Sequence, residues 1–160
     1  MIGFGGAFTG TATHDLLQLS DPAAQDNLLK QYFGDGGKPI KYPFKYLTFT
    51  GIGYTMCRVR IGATDFSNCL YSYDDPPGNA DDFNLTHFDI SGGSCKEDIT
   101  YKIPTIQKAL NISQGSLRLF ASPWSAPVWM KDNHNTMAGS IKGDPVVNNA
   151  YRMLRIKNPL

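Results

Sequence analysis

Residues 52–62, Ile-Gly-Tyr-Thr-Met-Cys-Arg-Val-Arg-Ile-Gly, constrain the fold more than any other stretch of this chain. The run reads as a strand whose middle is apolar on both faces. A strand with one wet face alternates, whereas a strand covered on both faces belongs to a parallel sheet. Arg58 lies inside the run. An arginine shut away from water needs a carboxylate partner, so Arg58 is expected to face one. Residues 62–67, Gly-Ala-Thr-Asp-Phe-Ser, follow at the strand's carboxyl end. Asp65 is there either a hydrogen-bond acceptor at the mouth of a site or a loop cap.

Residues 117–130 repeat the arrangement. Leu117, Leu119 and Ala121 alternate with Arg118 and Phe120, and Ser122-Pro123 ends the strand. Proline fixes its own φ and forces the residue before it into an extended conformation. Trp124 and Trp129 follow, braced by Pro123 and Pro127. An indole just past a strand's carboxyl end stands where α/β folds build ligand sites. Both indoles equally suit core packing.

Helical patterns separate the strands. Residues 103–110 carry Pro104 in a first turn and Ile103, Ile106 and Leu110 on one face. Ser20 is the expected cap of another helix, with Asp21 and Pro22 in its first turn, Leu28, Leu29, Tyr32 and Phe33 as its apolar face, and Gly-Asp-Gly-Gly at 34–37 as its end. Residues 15–19 fit a single helical turn, and 9–14, including His14, a polar loop. The glycine-rich residues 2–8 read as the end of a strand. They match neither a phosphate-binding loop nor a dinucleotide fingerprint. Strand and helix alternate, which predicts a parallel α/β fold. Residues 69–98 form a long polar loop anchored by Tyr71, Tyr73, Phe83, His87 and Phe88, and loops of that length are functional or flexible.

Charge removes several functional classes. With 15 basic and 14 acidic residues, net +1, there is no basic stripe, and nucleic acid is not an expected partner. No apolar run approaches the roughly 18 residues of a membrane span. The amino end has neither the charged nor the apolar part of a secretory signal, so none is expected. Cys57, Cys69 and Cys95 show no metal spacing and read as free thiols; no metal or cofactor is expected. Asn84-Leu85-Thr86 and Asn111-Ile112-Ser113 are glycosylation sequons. Thirteen aspartates accompany a single glutamate, Glu97, which falls in a polar turn and is expected in exposed loop.

Several blocks resemble the glucosylceramidases (acid β-glucosidases) of glycoside hydrolase family 30. They are Gly3-Phe4-Gly5-Gly6-Ala7-Phe8-Thr9, Ile52-Gly53-Tyr54 with Arg58-Val59, Thr64-Asp65-Phe66-Ser67, Lys102-Ile103-Pro104, the run from Ala121-Ser122-Pro123-Trp124 to Trp129-Met130-Lys131, and Gly139-Ser140-Ile141-Lys142-Gly143. The blocks keep the family's order across residues 2–145. The resemblance implies part of a (β/α)8 barrel, about its first three βα units. It implies a retaining β-glucosidase that splits glucosylceramide into glucose and ceramide, with a lysosomal location and with a lipid surface and an activator protein as partners. It further implies that Asp65 binds glucose hydroxyls, that Trp124 contacts the sugar, and that Arg58 lies beneath the pocket, with Phe66 and Trp129 in support.

The departures bear on activity. Such a barrel needs roughly 250 residues. The family's acid/base and nucleophile glutamates have no counterpart here, so residues 1–145 are expected to be the amino-terminal part of a catalytic domain, inactive as written and prone to fold poorly. A non-catalytic sugar- or lipid-binding fragment and a different family 30 glycosidase are the rival readings. Residues 38–50 have no family counterpart. Joining Gly37 to Ile52 restores the pattern, and Gly37-Lys38 and Phe49-Thr50-Gly51 can be encoded as intron boundaries, so translated intron is the expectation. Residues 146–160 leave the family pattern and are expected to be a divergent tail foreign to the fold.

Overall fold

The computed structural model describes residues 3–34, 51–91 and 93–157, with the backbone alone at 40–41, 48–49 and 154–157. In chain order the elements are β1 (Ala7–Phe8), α1 (Gly10–Gln18), α2 (Pro22–Phe33), β2 (Ile40–Lys41), β3 (Thr48–Phe49), β4 (Met56–Ile61), α3 (Ile103–Ile112), β5 (Arg118–Pro123) and α4 (Pro145–Lys157). A π-helical turn, Asp98–Lys102, leads directly into α3. Strands β1, β4 and β5 form one sheet, in the order β1-β4-β5, with both pairings parallel. The fold is thus α/β, although β4 is not apolar on both faces as expected: Cys57, Val59 and Ile61 share one face and Arg58 and Arg60 alternate onto the other.

Alternation along β4 sets the layers. Cys57 and Val59 face one side and pack with Phe8, Leu29, Phe33, Ile106, Ala109 and Leu117 beneath α2 and α3. Burying each of the larger side chains, such as Val59, Leu29 or Phe33, contributes on the order of 2 kcal/mol. Ile61 packs in a second cluster with Tyr71, Tyr73, Trp129 and Met130. Arg58 and Arg60 take the opposite face. Arg58 is opposite Phe120 in the ladder, and Phe120 is 51 % exposed, so this face is only partly covered.

Local chemistry moved several boundaries. The polar residues 9–14 open α1 rather than forming a loop. Thr9 caps it, its Oγ1 accepting from the Ala12 amide at 3.1 Å, and the Thr13 hydroxyl donates back to the carbonyls of Thr9 and Gly10. Small polar residues favour caps, and their composition alone resembles loop. Asp21, not Ser20, caps α2, its Oδ1 accepting from Ala23 N at 2.9 Å with Pro22 next. Residues 35–37, expected to end α2, lie outside the described residues, as does most of 38–50.

Cys69 and Cys95 are not free thiols but a disulfide with Cα atoms 6.2 Å apart, and Cys57 remains a buried thiol. The long loop folds back on itself through an Asp74–Phe88 bridge and an Asp89 N to Tyr73 O hydrogen bond of 2.8 Å. Twenty-six residues of separation become adjacent in space by that route, and spacing alone gives no sign of it. Strands β2 and β3 pair antiparallel with each other, Ile40 with Phe49. After them the chain returns to the end of α2, where Ile52 N and Tyr54 N donate to the carbonyls of Gln31 and Tyr32 at 2.6 and 2.8 Å. Of residues 146–160, those up to Lys157 lie in α4, whose Val147 and Ala150 are buried in the cluster around Trp129, and 158–160 lie outside the described residues.

Candidate functional site

Parallel strands deliver their following loops to one edge of the sheet. Thr9 follows β1, residues 62–66 follow β4, and Trp124 follows β5. Together they enclose a cavity of about 200 Å³, its wall formed by Arg58, Arg60, Thr64, Asp65, Phe66 and Trp124, with residues 7–9 completing it. The sequence-derived residues Asp65, Phe66, Arg58 and Trp124 are therefore brought together. Trp129 is not among them.

Trp124 leaves β5 with its amide donating to Ile61 O at 3.3 Å, and the residue is 44 % exposed. The Arg58 guanidinium carbon lies 4.8 Å from the indole centroid. Cation–π attraction of this kind holds a ring in place. Arg58 was expected to be buried against a carboxylate. It is half-buried, and among the described residues it makes no ion pair. The buried arginine is Arg60, two residues on, and the alternation that puts both on one face did not tell them apart.

Asp65 is exposed, on a turn fixed at several points. Thr64 N donates to Ser67 Oγ at 3.0 Å, Ser67 N donates to Thr64 O at 3.1 Å, and the Thr11 hydroxyl on α1 donates to Phe66 O at 2.5 Å. Gly62 begins the turn at φ +76°, a conformation open to glycine and strained for other residues. Asp65 is the only carboxylate on the described wall of the cavity. Such a site can accept hydroxyl hydrogen bonds and present an apolar ring. By itself it lacks the acid and nucleophile pair of a glycosidase.

Below this edge lies a cluster that sequence reasoning missed. Arg60, Glu97, Asp98 and Lys102 are each at most 2 % exposed. Arg60 Nη2 donates to Glu97 Oε1 at 2.6 Å, and Lys102 Nζ pairs with Asp98 Oδ1 at 2.7 Å. Tyr71 donates to Asp98 Oδ1 at 2.8 Å, and the Tyr73 hydroxyl donates to Oδ2. Two cations and two anions make the group neutral, which is what permits its burial. Burial pushes the Lys102 ammonium down to about 8, against the pull of Asp98. Glu97, expected in exposed loop, enters the interior because Asp98–Lys102 is helical and Arg60 awaits it. The Asp98 to Lys102 spacing of four was the available signal.

Trp129 sits fully buried, its Nε1 donating to Asp74 Oδ2 at 3.0 Å. The short 3-10 turn Val128–Met130 after Pro127 turns it inward. Asn84 and Asn111 are both exposed. A second cavity, of about 370 Å³, opens on the helix side of the sheet between Phe8, Leu16, Leu29, Phe33 and Tyr54, with no charged side chain in its wall. Among the described residues no three His, Cys, Asp or Glu side chains are grouped to hold a metal, and no helix is long and apolar enough to cross a membrane.

The sequence profile of the Glycosyl hydrolase family 30 TIM-barrel domain matches residues 1–154. Putative glucosylceramidase 4 of Caenorhabditis elegans is 40 % identical over 145 residues, which are 90 % of this chain and 24 % of that protein. Lysosomal acid glucosylceramidase of Mus musculus is 38 % identical over 144 residues, 89 % of this chain and 24 % of its own length. The chain thus spans about a quarter of these curated relatives. Among solved structures, that of an endo-β1,6-glucanase superposes with a TM-score of 0.71 at 26 % identity, covering 97 % of this chain and 30 % of that one.

Proposed function

This chain belongs to glycoside hydrolase family 30, and on that premise we propose that its sheet edge is the glucose-binding part of a retaining β-glucosidase that cleaves glucosylceramide into glucose and ceramide. The observation that carries this reading is the single small cavity shared by Asp65 and Trp124. The Asp65 carboxylate accepts two sugar hydroxyls, and charge-assisted bonds of that kind supply specificity. The Trp124 face covers the apolar C–H face of the ring. Arg58, over the indole ring, holds it in place. The carboxylic acid that protonates the leaving oxygen and the carboxylate that attacks the anomeric carbon fall to the part of the relatives' length that these residues do not span. Glu97 takes neither role, because Arg60 encloses it. A lysosomal setting, substrate presented at a lipid surface and an activator protein belong to the same reading, supported by the likeness to the mouse protein.

The likeness to an endo-β1,6-glucanase structure supports a second reading, a family 30 glycosidase of another specificity built on the same cavity. Titration separates the two. Methyl β-D-glucoside and a β-1,6-linked glucose disaccharide are titrated into the chain and binding is followed by isothermal titration calorimetry. Saturable binding of the monosaccharide glycoside, lost in Asp65→Ala and in Trp124→Ala, is expected. Preference for the disaccharide favours the second reading, and no saturable binding of either sinks both. Hydrolysis of an aryl β-glucoside by these 160 residues alone would overturn the placement of the carboxylate pair outside them.

A further inference from the structure

We propose that Arg60 is a positioning residue for Asp65, an inference that rests on the glucoside reading above. Arg60 is the penultimate residue of β4, and its guanidinium reaches three partners at once. Nη1 donates to the Gly62 carbonyl and to Tyr71 Oη at 2.8 Å, while Nη2 donates to Glu97 Oε1 at 2.6 Å. The Gly62 carbonyl belongs to the residue where the chain leaves the strand at φ +76° and turns toward Asp65 three residues later. The next amide, Ala63 N, donates to Tyr71 O at 2.9 Å. The turn is therefore held from both sides by residues of one cluster. Glu97 and Tyr71 aim the guanidinium, and the guanidinium holds the turn.

Stability alone does not account for this arrangement. Buried ion pairs are often replaceable by apolar side chains with no loss of stability. The cluster also leaves Arg60 Nε and Glu97 Oε2 without partners among the described residues. Its distinguishing property is place: it sits under the turn that carries Asp65 into the cavity, and Arg60 itself forms part of the cavity wall. A planar fork with several fixed donors suits the task, and a lysine, a single flexible point charge, does not.

The test uses the chain with two variants, Arg60→Lys and the double variant Arg60→Met/Glu97→Gln, which removes both charges together. Amide hydrogen exchange is read by NMR at Ala63, Thr64 and Ser67 and at the β4 amides, alongside titration with methyl β-D-glucoside. The expected result is exchange at least about tenfold faster in the turn with the β4 amides still protected, and glucoside binding about tenfold weaker. Unchanged turn exchange in either folded variant overturns the proposal. So does loss of β4 protection in the double variant, which assigns the cluster to global stability. If the unmodified chain does not bind the glucoside, the sugar reading fails by itself, while the turn amides still report whether Arg60 holds them.

Discussion

Trp129 donates its indole N–H to Asp74 Oδ2 at 3.0 Å, and neither side chain reaches solvent. Burial pushes the Asp74 carboxyl up to about 6; the indole N–H works against that shift and the neighbouring Asp82 adds to it. In the unfolded chain this carboxyl ionises near its ordinary value of 3.8. Between those two values the folded chain holds a proton that the unfolded chain has lost. The contribution of Asp74 to stability is therefore full below the ordinary value and is lost as pH rises through about 6. Asp82 behaves oppositely. Burial would raise it, but Thr86 and His87 hold it well below the usual carboxylate range. Its contribution is lost only as pH falls below that range, so the two windows do not overlap.

Asp74→Asn should accordingly gain on the wild type as pH rises. From about pH 4 to about pH 7 the variant's Tm minus that of the wild type should rise by several degrees, a chain of this size moving roughly 2–4 °C per kcal/mol. Melting curves at intervals across that range check it. Two Tm profiles that run parallel would remove Asp74 as the cause.

Gly10→Ala should be severely destabilising. A Cβ there would stand 1.4 Å from Glu97 Oε1 and 2.2 Å from Arg60 Nη2. The ion pair must part to admit it, and a broken buried pair costs about 3–5 kcal/mol. Urea unfolding measures the change. A loss under about 1 kcal/mol would show that the cluster rearranges freely.

Thiol titration should find one reactive sulfur in the denatured, unreduced chain and three after reduction, with Cys57 as the one. In the native chain Cys57 should react slowly, because burial pushes its thiol up. Three thiols without reduction would mean that the 69–95 bridge does not form. Cys69→Ser should cost about 2–4 kcal/mol.

Removing residues 38–50 should leave the β1-β4-β5 sheet intact. Gly34 and Gly51, the described residues on either side of this stretch, already lie against each other. A Cβ on Gly51 would lie 2.9 Å from Gly34 O, and Ile52 and Tyr54 bond to the last turn of α2. A deletion variant should unfold cooperatively at a midpoint no lower than that of the parent, and loss of a single sharp transition would count against the excursion being removable.

The strands were legible in the sequence because alternating residues share a face: Cys57, Val59 and Ile61 all turn to the packed side of β4 and had to be apolar, while the two arginines alternate with them. The cavity residues Asp65 and Trp124 were legible because each falls just past a strand's end. What lay beyond reach depended on distant partners. Glu97 looks like loop until Arg60 is placed against it, and Arg58 looks like the buried cation until Arg60 proves closer to the acids. Cys69 and Cys95 needed the fold-back of the loop between them. Thr9 to His14 failed for a local reason, since the residues that cap a helix are those that also fill turns.

The bridge between Cys69 and Cys95 turns the intervening chain into a covalent ring. Residues 77–81, 83 and 84, on the outer side of that ring, are exposed, while Tyr71 and Tyr73 within it are rooted in the interior. A protease that cuts at Phe83 would therefore release nothing. The nicked protein would differ from the intact one by the mass of a water molecule and would separate into two pieces only in the presence of a reductant. Asp65 and Trp124, one on either side of the ring in sequence, would stay on the same molecule after the chain between them had been severed.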